Sequence, residues 1–154
     1  MALDPGTRLG PYEVVSQIGG DGAEVYKASD AEQNRTVAIK TLPPGFSDNS
    51  EARQRLERDV RTLSALNHAH ICTLYEVRRE AETEFLVMEY LEGETLAERL
   101  TRGALPLAEG LKVAVEIADA LDKAHSKGVT HRDLKPGNVM LTQSGAKLPG
   151  NQPR

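Results

Sequence analysis

Residues 131–138, with the sequence HRDLKPGN, are the part of this chain best suited to chemistry. An aspartate followed by a lysine after two positions and an asparagine after five is the spacing of a loop that catalyses phosphoryl transfer. In such a loop Asp133 accepts the proton of the attacking hydroxyl group, Lys135 steadies the moving γ-phosphoryl group, and Asn138 binds a Mg²⁺ ion. The spacing therefore predicts Asp133 and Lys135 as catalytic residues and Asn138 as a metal ligand.

A polar turn before a proline is the alternative interpretation of this segment, because such clusters are common on protein surfaces. Two features favour the catalytic interpretation. All eight positions agree with the loop, and the short apolar run from Val139 to Leu141 supplies the strand that must follow it. Residues 143–145 (QSG) then have the composition of a turn, which ends the predicted strand.

Lys40 is a second candidate for chemistry, at the end of the predicted strand 37–40 (VAIK). Its ammonium group would reach the α- and β-phosphates of a nucleotide, and the small Ala38 would leave room for a flat ring. Taken alone, a lysine in a strand is usually a solvated charge at a sheet edge. Here a glycine-rich turn precedes Lys40 and the loop follows about ninety residues later, as phosphate binding requires.

The elements that must position these residues divide into strands and then helices. Alternating apolar and polar positions predict short antiparallel strands at residues 12–18, 25–29, 36–42, 74–77 and 85–90. Helical periodicity predicts helices at residues 51–66, 95–101 and 107–127, with Ser50 capping the first and Gly128 ending the last. Strands first and helices second indicate an α+β fold with two lobes and a connector at residues 89–93.

Five residues of the long predicted helix recur at spacings of three and four, which predicts a buried face and no chemistry. They are Leu111, Ala114, Ala118, Leu121 and His125. A single histidine at the end of a helix is more often packed or solvated than a metal ligand. We therefore interpret His125 as a packed or solvated histidine, and we interpret His68 and His70 in the same way.

The composition excludes several classes of function. A net charge of -4, a pI near 5.6 and only four tyrosines and two phenylalanines argue against nucleic-acid binding. The start of the chain lacks the basic and apolar regions of a signal peptide, and the single cysteine, Cys72, cannot form an internal disulfide. No stretch approaches the roughly 18 uncharged apolar residues of a membrane span. We expect a cytoplasmic protein whose residues in this chain make no membrane contact.

With these motifs in place, the chain resembles the protein kinase family, specifically the bacterial serine/threonine protein kinases, over residues 8–148. The resemblance also rests on residues 25–27 (VYK), 67–68 (NH) and 87–91 (VMEYL). It implies a kinase-like α+β fold, with an antiparallel β small lobe and one main helix at 1–88 and a hinge at 89–93. The first helices of an incomplete α-helical large lobe, with the catalytic loop, then occupy 94–148, and an irregular tail occupies 149–154.

The resemblance further implies ATP and Mg²⁺ as cofactors, and it implies a set of nucleotide-binding residues. Val25, Ala38 and Met140 would surround the adenine ring, and Met88 would be the gatekeeper. The backbone of Glu89 and Leu91 would hydrogen-bond adenine. The remaining residues are Ile18, Gly19, Gly20 and Gly22 at the glycine-rich loop, together with Lys40. Lys135 indicates that the phosphate acceptor is a serine or threonine of a protein substrate.

The sequence departs from the family pattern at the acidic partner of Lys40, which is normally a glutamate. On the first predicted helix, Asp59 falls in one sector about 120° wide together with the apolar residues Leu56, Val60, Leu63 and Leu66, whereas Glu57 points away from that sector. Asp59 is therefore the expected catalytic partner. Because aspartate is one methylene shorter than glutamate, we expect a longer contact with Lys40 or a helix that lies closer to it.

The glycine-rich loop, GGDGAEV at residues 19–25, is one residue shorter than the family pattern and lacks the third glycine. Asp21 can also bring negative charge toward the phosphates, so we expect weakened ATP binding. The family places an Asp-Phe-Gly triplet near position 150, where this chain has Gly150 and ends at Arg154. We therefore expect a truncated chain with impaired activity.

Two hypotheses remain open at this point. In the first, the chain is an ATP-dependent protein serine/threonine kinase domain that transfers the γ-phosphoryl group to a protein hydroxyl group. In the second, it is a catalytically inactive module that binds nucleotide or pairs with another kinase. Under either hypothesis, an incomplete large lobe would leave the apolar face of the long helix exposed around Leu111 and Leu121.

Overall fold

The computed structural model describes residues 3–19, 24–66, 68–129 and 134–148, and its elements fall into two units. The first unit contains the residues up to Val60 together with Leu74–Tyr90. The second contains Arg61–Thr73 together with the residues from Leu91 onward. The first helix, α1 (Ser50–Ser64), contributes residues to both units.

A six-stranded antiparallel sheet forms most of the first unit, in the order β1-β2-β3-β4-β6-β5. Its strands are β1 (Arg8–Leu9), β2 (Tyr12–Gly19), β3 (Val25–Asp30), β4 (Arg35–Thr41), β5 (Leu74–Glu80) and β6 (Thr83–Glu89). All five strands predicted for this region are present, with bounds that differ by one to three residues. The short β1 was not predicted, because two residues carry too little pattern.

The strand register places the hydrophobic core on one face of this sheet. Ile39 of β4 lies directly opposite Tyr26 of β3 and Val87 of β6, and opposed residues of antiparallel strands share a face. The core cluster on this face comprises Leu9, Tyr12, Ala28, Val37, Ile39, Phe85 and Val87. The rings of Tyr12 and Phe85 meet edge to face, with centroids 6.1 Å apart. Burial raises the pKa of both Tyr12 and Tyr26.

Helix α1 begins one residue earlier than predicted, and its cap is Asn49 instead of Ser50. The Asn49 Oδ1 atom accepts a hydrogen bond from the backbone N–H of Ala52 at 3.1 Å, and the Asn49 carbonyl accepts one from Arg53 at 3.0 Å. The prediction of Ser50 was wrong because asparagine and serine cap helices equally well, and the two residues are adjacent. The predicted apolar stripe is buried, with Leu56, Val60, Leu63 and Leu66 as its members.

The second unit contains the remaining helices and a small antiparallel sheet in the order β7-β8-β9. Its elements are β7 (Glu94–Thr95), α2 (Leu96–Leu100), α3 (Leu107–Ser126), β8 (Met140–Thr142) and β9 (Gly145–Lys147). Both predicted helices and the predicted strand after the loop are present, and β7 and β9 were not predicted. Thr95 caps α2 in a capping box with Glu98, which explains why α2 begins at Leu96.

The buried face of α3 differs from the predicted one. Leu111, Ala114, Ala118 and His125 are exposed and Leu121 is half-buried, whereas Glu116, Ala120 and Ala124 are buried. The prediction was wrong because apolar residues occur on most sides of α3, so periodicity alone could not select the packed side. A row of large apolar side chains therefore remains exposed: Leu107 at 79%, Leu111 at 58% and Val115 at 67%. Leu111 is thus exposed as expected, whereas Leu121, which was expected to be exposed with it, is half-buried.

His68 and His70 pack within the second unit. The Nδ1 atom of His70 lies 2.8 Å from the carbonyl oxygen of Ala146, and its Nε2 atom lies 3.4 Å from the Glu116 carboxylate. The Nε2 atom of His68 lies 3.1 Å from Asp119. These contacts join the loop after α1 to α3 and β9, in agreement with the interpretation of both histidines as packed residues.

Across the described ranges, no helix has both the length and the apolar character needed to cross a membrane.

Candidate functional site

The predicted nucleotide-binding residues of the first unit share one face of its sheet. Lys40 of β4 lies opposite Val25 of β3, and Ala38 lies opposite Met88 of β6. Because successive side chains of a strand point to opposite faces, this face is the one turned away from the core cluster. We call it the nucleotide face, and its members on β3, β4 and β6 are Val25, Lys27, Ala38, Lys40, Leu86 and Met88.

Burial distinguishes Lys40 from an ordinary lysine in a strand. Its side chain is only 6% exposed, so it is not the solvated edge charge of the alternative interpretation. A buried ammonium group is stable only beside carboxylate, phosphate or other hydrogen-bonding groups. Ala38 and Met88 are also buried, whereas Val25 is half-buried. The face therefore combines small and apolar side chains with one buried cation.

The end of β2 leads into the glycine-rich turn. Gly19 pairs with Val25, and Gln17 pairs with Tyr26, so Ile18 is the extra residue of a β-bulge. Ile18 is 45% exposed. The bulge places Ile18 and Gly19 at the edge of the nucleotide face. The predicted site residues Gly20 and Gly22 lie outside the described residues.

Lys27 was not predicted as a site residue, although the register places it on the nucleotide face opposite Ala38. Its Nζ atom lies 5.0 Å from the centroid of the Tyr90 ring, which is cation–π geometry. Tyr90 directly follows Glu89, the last residue of β6. The alternation of β3 could have identified Lys27, since it lies two residues after Val25. Glu89 itself is half-buried.

Asp59 is half-buried on α1, between the buried Leu56 and Val60 and the exposed Arg58. Glu57 is also half-buried, and its carboxylate accepts a hydrogen bond from Arg53 Nε at 3.0 Å. The pairing of Lys40 with Asp59 stays a prediction. A contact that the sequence did not indicate joins the first turn of α1 to β6: Arg53 Nη1 donates to Glu84 Oε1 at 2.8 Å.

Two of the predicted catalytic-loop residues, Lys135 and Asn138, lie on the segment that leads into β8. The carbonyl group of Lys135 accepts a hydrogen bond from the Asn138 N–H at 2.8 Å, closing a short 3₁₀ turn at Pro136–Asn138. Val139 is buried, and its carbonyl group accepts a hydrogen bond from the Leu96 N–H at 2.8 Å. Asn138 is thus half-buried next to an anchored residue, whereas the Lys135 side chain is exposed.

The remaining predicted site residues of the second unit are placed around its small sheet. Met140 opens β8, where it pairs with Thr95 of β7 and Lys147 of β9. Leu91 is half-buried and follows Tyr90 in the chain. Asp133 lies outside the described residues, as do the family's expected position for the Asp-Phe-Gly triplet and the predicted tail at 149–154.

The side chain of Asn138 is the predicted metal ligand among the described residues. The side-chain amide oxygen of Asn138 is a hard ligand of the kind that Mg²⁺ prefers. Among the described residues, no group of three histidine, cysteine, aspartate or glutamate residues could hold a metal ion. Because Mg²⁺ usually binds one or two protein groups together with phosphates and water, Asn138 fits as a contributing ligand.

Glu94 and Arg102 form an ion pair beside the small sheet of the second unit. The Arg102 guanidinium donates to both carboxylate oxygens of Glu94 at 2.7 Å. These hydrogen bonds hold the pKa of Glu94 below its ordinary value and raise the pKa of Arg102. Arg102 is exposed and Glu94 is half-buried, so the pair lies at the surface between β7 and the turn after α2.

Comparison with known proteins identifies the relatives of this chain. Residues 12–148 match the family described as protein kinase domain. The serine/threonine-protein kinase PknD of Mycobacterium tuberculosis is 37% identical over 141 residues, covering 90% of this chain and 21% of that protein. A crystal structure of the Mycobacterium tuberculosis PknI kinase domain superposes with a TM-score of 0.88 at 30% identity, covering 97% of this chain and 62% of that chain.

A further structural neighbour is Rad53 in complex with AMP-PNP, with a TM-score of 0.77 and 26% identity over 92% of this chain and 38% of that chain. These similarities confirm the predicted kinase-like α+β fold. The chain spans about a fifth of the length of the curated relative and less than two thirds of the PknI chain.

Proposed function

This chain belongs to the protein kinase family, and from that premise we propose that it is the nucleotide-binding and catalytic-loop region of an ATP-dependent protein serine/threonine kinase. The observation that carries the proposal is the nucleotide face, where strand register brings Val25, Ala38, Lys40 and Met88 together. We propose a small lobe at residues 1–88, a hinge at 89–93 and a partial large lobe at 94–148.

The nucleotide face supports ATP as the bound nucleotide. The apolar side chains of Val25 and Ala38 offer a flat surface for an adenine ring, and the buried ammonium group of Lys40 can hydrogen-bond phosphate oxygens. Met88 would limit the depth of the adenine site, and the backbone of Glu89 and Leu91 would hydrogen-bond the adenine edge. The AMP-PNP complex of Rad53 gives independent support for a nucleotide on this fold.

The catalytic-loop residues would carry out the transfer step. Asp133 would accept the proton of a serine or threonine hydroxyl group as its oxygen attacks the γ-phosphorus, and Lys135 would hold the transferring group by its positive charge. Asn138 would be one ligand of a magnesium ion. When bound, Mg²⁺ and ATP would supply the phosphoryl group and the neutralising charge for this chemistry.

The substrate class and cellular location are also part of the proposal. Lys135 and the relationship to PknD, a serine/threonine-protein kinase, support a protein substrate with a serine or threonine acceptor. The presence of a single cysteine, Cys72, which is buried, agrees with a cytoplasmic site of action. The net charge of -4 gives no support to nucleic acid as a partner.

A second candidate function is that of an inactive nucleotide-binding or protein-interaction module. The exposed row Leu107, Leu111 and Val115 on α3 favours it, since contiguous apolar surface often marks a contact with another protein. Pairing with another kinase would cover such a surface. The shortened glycine-rich loop also agrees with weak nucleotide binding and poor transfer.

The two candidates differ in an assay with radiolabelled ATP, Mg²⁺ and a generic serine/threonine substrate. Kinase function predicts phosphate transfer that the Asp133→Asn variant reduces by about 10²- to 10⁴-fold, the usual contribution of a general base. Transfer equal to that of the variant would refute kinase activity for this chain. In a parallel thermal-shift measurement, ATP or ADP should raise the melting temperature and Lys40→Ala should abolish the rise.

A further inference from the structure

Arg53 bridges two carboxylates within the first unit. Its Nη1 atom donates to Glu84 Oε1 at 2.8 Å, and its Nε atom donates to Glu57 Oε1 at 3.0 Å. Glu57 is one helical turn away on α1, but Glu84 is 31 residues away on β6. The contact with Glu84 therefore ties the first turn of α1 to the sheet.

The Glu84 carboxylate differs from that of a surface residue. Its side chain is 10% exposed, whereas the Arg53 side chain is 37% exposed. The backbone around Glu84 is also held in place, because its carbonyl group accepts a hydrogen bond from the Leu42 N–H at 2.8 Å. A largely buried carboxylate needs a cationic or hydrogen-bonding partner, so Glu84 constrains where the Arg53 end of the helix can lie.

Arg53 and Asp59 flank the buried stripe of α1 on opposite sides. At about 100° per residue, Arg53 lies about 60° to one side of Leu56, and Asp59 lies about 60° to the other. The two residues are about 9 Å apart along the helix axis. Rotation of α1 about its own axis would move Asp59 away from the sheet. Because the contact with Glu84 fixes the Arg53 side of the helix, it limits that rotation.

We propose that Arg53 is a positioning residue for the Lys40–Asp59 pair and acts through its bridge to Glu84. The proposal rests on the function proposed above, because that pair serves to orient Lys40 toward phosphate. The bridge is more important here, where the partner of Lys40 is an aspartate, than it would be if that partner were a glutamate. Asp59 has one methylene less with which to reach Lys40, so the pair tolerates less outward movement of α1.

The test uses the full chain and two measurements on each variant. The first is the Kd for Mg²⁺–ATP by calorimetry, and the second is the rate of acylation of Lys40 by an N-hydroxysuccinimide ester, followed by mass spectrometry. We expect Arg53→Gln and Glu84→Gln each to weaken ATP binding by about tenfold, on the order of the cost of losing one positioned contact. Both should make Lys40 more reactive, because Asp59 no longer holds its ammonium form.

Rescue by a longer acid distinguishes positioning from general stability. In the double variant Arg53→Gln with Asp59→Glu, the extra methylene should restore contact with Lys40, returning both ATP affinity and Lys40 reactivity to within about threefold of the starting protein. A loss of stability alone would not be repaired by this change. Circular dichroism at the assay temperature shows which variants are folded, and Glu84→Gln serves if Arg53→Gln does not fold.

Matched controls separate the bridge from charge in general. Arg55→Gln removes an exposed arginine from the same helix, and Glu57→Gln removes only the contact within α1; neither should change ATP affinity or Lys40 reactivity. Folded Arg53→Gln and Glu84→Gln variants that retain normal Lys40 reactivity would overturn the proposal, whatever the ATP result. The two proposals can also fail separately. If the starting protein does not bind ATP, but Lys40 reactivity rises in Arg53→Gln and returns in the double variant, the positioning role stands and the proposed nucleotide function fails.

Discussion

The central strand of the first unit and the long helix of the second are packed very differently. In β4 every residue from Val37 to Lys40 is buried, so both faces of the strand are covered. In α3 one side buries Glu116 and Ala120, whereas Leu107 and Leu111 on another side are exposed. The side chains of β4 are therefore held in place by neighbours on both faces, and those of α3 by neighbours on one.

This difference separates the two parts of the proposed function. The nucleotide face belongs to the sheet whose opposite face is the core cluster, so its geometry follows from the strand register of one unit. Lys135 and Asn138, the described residues of the predicted catalytic loop, lie at a short turn of the other unit, where Val139 is the buried anchor. Binding of nucleotide should consequently tolerate substitutions in the second unit better than phosphoryl transfer does.

The largest expected effect is a direct test of this contrast. Ile39→Ala removes a fully buried side chain from the core cluster and should lower the free energy of unfolding by about 2–5 kcal/mol, because it leaves a cavity. Leu111→Ala on α3 should change it by less than about 0.5 kcal/mol, because the side chain is already exposed. Urea denaturation measures both values. Equal losses for the two variants would contradict the difference in packing.

A second prediction concerns the part of the second unit that is tightly packed. Gly145 has φ +117°, and a Cβ atom there would overlap the carboxylate of Glu116. We expect Gly145→Ala to destabilise the protein by about 1–3 kcal/mol through backbone strain and this overlap. Gly103→Ala is the control, since Gly103 has φ +114° but open space around it. A larger loss for Gly145→Ala in thermal melting isolates the contribution of Glu116.

The cap of α1 offers a smaller effect in the first unit. Asn49→Ala removes the side-chain acceptor for the Ala52 N–H and should cost about 1 kcal/mol of stability. Ser50→Ala, one position later, should cost clearly less, because Ser50 is inside the helix. Chemical denaturation of the two variants compares the caps. The reverse order would restore Ser50 as the capping residue.

The smallest expected effect is the pH dependence of the Glu94–Arg102 pair at the surface of the second unit. Hydrogen bonding by Arg102 lowers the pKa of Glu94 in the folded protein. A lowered pKa stabilises the fold above the pKa of the unfolded chain, about 4.3, and this stabilisation disappears as the pH falls through the folded-state pKa. Glu94→Gln should therefore be slightly less stable than the starting protein at pH 7.

The measurement is the urea midpoint of both proteins between pH 3 and pH 7. The difference between them should shrink steadily below about pH 4, and Arg102→Gln should show the same trend. A difference that is equally large at both ends of the range would mean that the carboxylate charge contributes nothing. Because the pair lies at the surface, added salt should also reduce the difference.

The sequence predicted the strands of the first unit closely, because alternation and turn residues act over a few positions. It also identified the buried stripe of α1, where Leu56, Val60 and Leu63 stand out against charged neighbours. The same reasoning was wrong for α3. Apolar residues occur on most of its sides, and it is contacts with distant segments, the hairpin at Gly145 and Ala146 and the side chain of His70, that cover the side of Glu116.

The side chains at the candidate site also divide into those that the sequence indicated and those that only the structure revealed. The sequence predicted Val25, Ala38, Lys40 and Met88 as site residues, because each lies in a short motif, and strand register places them on one face of the sheet. The structure added Lys27 beside Tyr90 and Arg53 beside Glu84. These partners are far apart in the chain, so no local pattern could have indicated them.

The sequence by itself determined the family, the order of the elements and the residue types available for phosphoryl transfer, since motifs and periodicity are properties of neighbouring positions. The tertiary structure decided which face of β4 carries Lys40 away from the core cluster, which side of α3 is covered and which acid Arg53 contacts. Those outcomes depend on strand register and on contacts between distant segments, and they exist only once the chain has folded.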